Sequence, residues 1–202
     1  GYYTAPIGTT VGAEASVNTS TSSVTQVLFI SNTAPFAAST TAPYSGNLTI
    51  PKVAADYWPW IGVVVQAYDD QGNTSYKNSE GQDAIVYVRT YNDSYSSPVD
   101  NGNGTFTFRV DPADFSPDAS GHDIYLAGEM NGWGTSDFSG LDKLTDSGGS
   151  IYEVTVAASS GQKYKFCIDY NDNGTREDSS EWKVSPANPY QEASGDMNSI
   201  VP

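Results

Sequence analysis

The chain has 202 residues, enough for one large β domain or two of about 100 residues each. Asp and Glu number 24 against 9 Lys and Arg, a formal charge of −15, so a phosphate backbone or an anionic bilayer would be repelled, and nucleic acid is excluded as a partner. No apolar run is long enough to span a bilayer, which excludes membrane insertion, and Cys167 is the only cysteine, which excludes an intrachain disulfide, a thiol redox pair and a Cys-rich zinc site. The opening Gly1-Tyr2-Tyr3-Thr4 has no basic stretch followed by an apolar one, so no signal peptide is read there. Ser, Thr, Asn, Gly and Tyr dominate while Lys is scarce, a composition common in extracellular β proteins, and a secreted or cell-surface location is expected.

No segment sustains a helical apolar repeat, and Gly, Pro and Asn interrupt most windows, whereas short alternating segments are frequent. They predict strands over residues 15–19, 24–30, 47–50, 61–68, 84–90, 105–110, 124–128, 150–156 and 163–169. Short strands separated by turn residues predict an all-β chain of two immunoglobulin-like β-sandwich domains in tandem. The run from Gly62 to Asn73, a strand entering a Gly-Asn turn, resembles a late strand of bacterial immunoglobulin-like modules. With Val63, Val65 and Ala67 pointing inward, the period of two puts Trp58 and Trp60 together on the outer side as a candidate second sugar platform; a core or interface role is the competing reading.

Residues 91–104 are rich in Asn, Asp, Ser and Gly and offer little to bury, so the division between domains is placed there, giving 1–100 and 101–202. The second half then presents Phe106, Phe108 and Val110 in alternation, Ile124-Tyr125-Leu126-Ala127-Gly128-Glu129-Met130-Asn131-Gly132-Trp133, Lys143-Leu144, Tyr152-Glu153-Val154-Thr155-Val156, Tyr164-Lys165-Phe166-Cys167-Ile168-Asp169, Trp182, Pro186-Ala187-Asn188-Pro189 and Asn198-Ser199-Ile200-Val201. In that order they resemble the starch- and glycogen-binding modules of carbohydrate-binding family 48 type, including the glycogen-binding domain of the AMP-activated kinase beta subunit and modules appended to bacterial amylases and pullulanases. The resemblance covers nearly half the chain.

The resemblance implies non-catalytic binding of α-1,4-linked glucan, as polysaccharide or maltooligosaccharide, within a larger starch-degrading or starch-adhering protein. It implies that Trp133 and Trp182 stack on glucose rings and that Lys165 and Asn198 bond sugar hydroxyls. Two departures accompany it. The loop between the Lys165 strand and Trp182 is long, which puts their geometry in question, and the residues before Asn198 keep Gly195 but not the usual branched residue and threonine.

The residue types agree with this chemistry. Sugar rings lay flat C–H faces on aromatic rings and need fixed donors and acceptors beside them. In 163–169, Tyr164, Phe166 and Ile168 share one face, so Lys165 faces away from an apolar core with Lys163, Cys167 and Asp169. A solvated lysine and core tryptophans are the bland alternatives, and they belong to a second hypothesis, a structural tandem of immunoglobulin-like domains with no sugar affinity. The long loop also carries Asp169, Asn171 and Asn173 ahead of Gly174, as at the start of a calcium loop, but Ser180 stands where the closing glutamate belongs, and a hydrated hairpin tip is preferred. No cofactor is expected. His122, the only histidine, lies among loop residues, and a barrel of about 250 residues for α-glucan hydrolysis does not fit the chain, so no enzyme is expected.

Overall fold

A computed structural model describes the chain apart from residues 1, 20, 33, 53–59, 135–136, 177–180 and 193–194. Among the described residues the regular elements are strands and two short 3-10 turns, so the fold class is all-β as expected. The chain divides into two compact units, the described residues up to Thr90 forming one and those from Tyr91 onward the other. Each is an immunoglobulin-like sandwich of two sheets.

The first unit contains β1 (Tyr2–Pro6), β2 (Thr10–Ala15), β3 (Val24–Ser31), β4 (Ala34–Ser39), β5 (Tyr44–Thr49), β6 (Trp60–Asp69), β7 (Thr74–Ser75) and β8 (Ile85–Tyr91). One sheet runs β1-β8-β6-β3-β4 with β7 on β6, and the other is β2-β5. The expected inward parity of β6 is the one observed: Ile61 and Val63 are buried, while Val65 and Ala67 pack against Val27 and Phe29. A side chain at Gly46 of β5 would collide with Ala37 and touch Phe29, so glycine permits the close approach of the sheets there.

The strand expected over 15–19 is instead β2, ending at Ala15. Alternation continues through Val17, but Ala15 is already opposite Tyr44, the first residue of β5, and beyond it the ladder has no partner. The expected 47–50 is the second half of β5.

The second unit contains β9 (Val99–Asp100), β10 (Thr105–Val110), β11 (Asp123–Gly128), β12 (Asp142–Lys143), β13 (Thr145–Gly148), β14 (Ile151–Ala157), β15 (Lys163–Asp169), β16 (Trp182–Lys183) and β17 (Ser199–Ile200). Its sheets are β13-β14-β10-β9 and β12-β11-β15-β16, with β17 also on β15. Phe106, Phe108 and Val110 of β10 face Ile124 and Leu126 of β11 and Tyr164, Phe166 and Ile168 of β15 in one core, and the Phe108 and Tyr164 rings meet edge to face at 4.8 Å.

The division between units falls at Thr90/Tyr91, earlier than the expected 100/101. Polar residues tie 91–100 into the second sandwich. Asn92 donates from its main chain to Pro186 O (2.8 Å) and from Nδ2 to Asp114 Oδ2 (2.7 Å). The Tyr95 hydroxyl donates to Asp114 Oδ2 (3.0 Å) and accepts from Asp111 N–H (3.2 Å), and burial raises its pKa. Ser97 Oγ accepts Arg109 N–H at 2.8 Å. A segment with few apolar residues is thus anchored by partly buried hydrogen bonds, which composition alone does not reveal.

Candidate functional site

The site forms on the outer face of the β11-β15-β16 sheet. Lys165, Cys167 and Asp169 lie opposite the core face, as the period of two requires, yet they are not solvated: Lys165 is 5% exposed, Cys167 0% and Asp169 3%. The bland alternative of a solvated lysine does not hold, because this face carries a second layer. Tyr125 and Trp182 flank Cys167 on its two neighbouring strands. Tyr125 in turn stacks on Phe138 at 4.6 Å between ring centroids. Burial pushes the Cys167 thiol up to about 12, which leaves it no thiolate character at neutral pH.

Trp133 reaches the layer through a tight turn after β11. A Cβ at Gly128 would sit 2.6 Å from Lys163 O, so the chain leaves β11 where only glycine fits. Asn131 then holds the turn, its Oδ1 accepting Gly128 N–H (2.9 Å) and its Nδ2 donating to Leu126 O (2.7 Å) and Asp142 Oδ2 (3.0 Å). Gly132, Trp133 and Gly134 follow with φ of 68°, 65° and 65°, three consecutive left-handed residues. Such backbone costs a non-glycine residue about 1–3 kcal/mol and concentrates at sites where geometry serves function.

Trp182 begins β16 opposite Cys167, and its ring centroid lies 6.0 Å from that of Trp133, with the ring planes at 47°. Both indoles are half-buried. The long loop between β15 and β16 does not separate them. It bridges back to the Trp133 loop through the Thr175–Asp137 pairing, and its Arg176 lies with Cζ 4.8 Å from the Trp182 ring centroid while donating Nη1–H to Trp133 O at 3.2 Å. Arg176 escaped the sequence reading because nothing local marks it; only the crossing of the two loops brings it to the pair.

Asn198 directly precedes β17, whose Ser199 is opposite Tyr164, so the chain carries it toward Lys165. Asn198 is 7% exposed, and both its main-chain N–H (3.1 Å) and its Nδ2 (2.7 Å) donate to Glu192 Oε2. Lys163 Nζ pairs with the other oxygen of that carboxylate at 2.6 Å. The Lys163 hydrogen bond, assisted by Asn198, holds Glu192 below the usual carboxylate range. Burial lowers the Lys165 pKa, opposed by the carboxylates of Asp196 and Glu192. Lys165 and Asn198 therefore share Glu192 as an electrostatic neighbour, and Glu192 is a further residue the sequence did not single out.

Trp58 lies outside the described residues. Trp60 opens β6 opposite the buried Arg89, is half-buried, and has a buried indole nitrogen. In the loop after β15, Asp169 Oδ1 accepts Asn173 N–H (3.2 Å) and Oδ2 accepts Gly174 N–H (2.8 Å), while Asn171 and Asn173 are exposed. This is a carboxylate-closed turn. No group of three or more His, Cys, Asp and Glu side chains among the described residues is arranged to hold a metal ion. His122 is half-buried, its Nδ1 3.2 Å from Asp172 Oδ1 and its ring edge-on to Tyr170. Among the described residues no helix is long and apolar enough to cross a membrane.

No family model and no curated protein matches the chain. Among solved structures it is similar to the fibronectin(III)-like modules of Clostridium thermocellum CbhA, at 15% identity over 45% of this chain and 91% of that one, with a TM-score of 0.35. It is also similar to the gamma-CGTase of the alkalophilic Bacillus clarkii, at 18% identity over 98% of this chain and a TM-score of 0.27, and it spans 24% of that enzyme's length. Neither likeness bears on the site residues.

Proposed function

We propose that the second unit binds α-1,4-linked glucan without catalysis, Trp133 and Trp182 forming a bent platform and Lys165 and Asn198 supplying hydrogen-bonding groups at its side. The observation that carries the proposal is the tilted, half-buried indole pair, 6.0 Å between centroids at 47°, on the sheet face that also holds Lys165. Successive glucose rings of an α-1,4 chain turn relative to one another, so two rings set at an angle suit it better than a flat surface would. Each stacking contact contributes about 1–3 kcal/mol, taking base stacking as the guide, and a site of a few contacts then has a dissociation constant of roughly micromolar to millimolar size. Function within a larger secreted or cell-surface protein is part of the same proposal.

A structural role is the second reading, favoured by one specific observation: Lys165 and Asn198 are almost fully buried, and Asn198 already donates to Glu192. Under that reading the indole pair only closes the outer layer over Cys167. Retention on insoluble starch, competed by maltoheptaose, distinguishes the two: α-glucan binding requires retention, and a structural role predicts passage.

A further inference from the structure

We infer that Arg176, in the loop between β15 and β16, is a positioning residue of the aromatic pair, setting the angle between Trp133 and Trp182. Its side chain touches both tryptophans, with the guanidinium Cζ 4.8 Å from the Trp182 ring centroid and Nη1–H on Trp133 O at 3.2 Å. The two contacts act on different parts of the pair. One engages the π face of Trp182, and the other fixes the main chain that carries Trp133.

The main-chain contact matters because of where it falls. Trp133 sits between Gly132 and Gly134 in a left-handed run, a conformation a tryptophan does not hold unaided. Its N–H is bound to Gly128 O at 2.9 Å and its carbonyl to Arg176, so the peptide groups on both sides of the ring-bearing Cα are held. The Thr175–Asp137 bridge, one residue before Arg176, brings the guanidinium's backbone to the same place independently of the side chain. A planar guanidinium can lie along an aromatic ring and donate sideways at once, whereas a lysine ammonium offers a point charge and cannot do both in one geometry.

The consequence for affinity rests on the glucan-binding reading of the indole pair; the positioning role itself does not. The test uses the full chain with Arg176→Met, Arg176→Lys and Trp133→Phe. Coupled indoles give an exciton signal in circular dichroism, assigned here by its loss in Trp133→Phe. The expected result is a folded Arg176→Met protein, confirmed by a cooperative thermal transition, whose signal falls to less than half, with Arg176→Lys recovering only part. Should Arg176→Met fail to fold, Arg176→Lys alone decides: a signal below that of the wild type supports the inference, and the full wild-type signal overturns it. A folded variant with the full wild-type signal overturns the inference. Calorimetry with maltoheptaose adds the second arm: a loss of tenfold or more in Arg176→Met supports the inference, and unchanged affinity despite a lost signal overturns its bearing on binding. If the wild type binds no glucan, the proposed function fails while the exciton signal still decides the role of Arg176.

Discussion

Trp133 comes from the turn after β11 and Trp182 from the first position of β16, yet their ring centroids lie 6.0 Å apart at 47°. Trp133 attains this position at a backbone cost, with φ of 65°. Glycine adopts that conformation freely, whereas alanine is penalised by about 1–2 kcal/mol. Trp133→Gly is therefore expected to be more stable than Trp133→Ala by about 1 kcal/mol in urea unfolding, reversing the usual order of the two residues. The usual order would mean that Trp133 is not left-handed in solution.

Glu192 links Lys163 and Asn198 through a carboxylate whose pKa is held below the ordinary value. A carboxyl depressed on folding contributes stability that is complete above the unfolded glutamate value, about 4.3, and is lost as pH falls through the folded value. The melting temperature of the wild type should exceed that of Glu192→Gln at neutral pH, and the gap should close in acid. A gap independent of pH would place the effect in packing instead of charge.

Lys165 is 5% exposed, and burial lowers its pKa, so its charged form carries a desolvation penalty at neutral pH. The sign is opposite to that of Glu192: the penalty is present while the amine is protonated and fades as pH rises through the lowered folded value. Lys165→Met keeps the stem and removes the charge, so its melting temperature should equal or exceed that of the wild type. Affinity for maltoheptaose should fall about tenfold or more, the size expected for losing a hydrogen bond from a charged group. Lower stability with unchanged affinity would assign Lys165 to the fold alone.

Tyr95 donates to Asp114 and accepts from Asp111 N–H inside the second unit. Tyr95→Phe removes both bonds and should cost about 1–3 kcal/mol of stability. A neutral substitution would show that 91–100 is dispensable to that unit.

Much of this was legible in the sequence, and the failures have physical causes. Strands with one apolar face, such as β10 and β15, follow from the period of two, and so does the side of β15 on which Lys165 lies. What that side meets does not follow, because Phe138, Tyr125 and Trp182 converge on it from three separate segments. The end of β2 at Ala15 depends on where β5 begins, a pairing fact invisible to local alternation. Residues 91–100 read as a linker because polar side chains hold them, and Arg176 was silent because two loops had to cross before it had anything to touch.

Titration calorimetry of the full chain with maltoheptaose, with cellohexaose as control, tests the central proposal most directly when repeated on Trp133→Ala and Trp182→Ala. Binding of the α-linked sugar alone, weakened at least tenfold in both variants while each still melts cooperatively, is the expected result. No heat with either sugar, together with passage over insoluble starch, would contradict it and leave the second unit a structural sandwich.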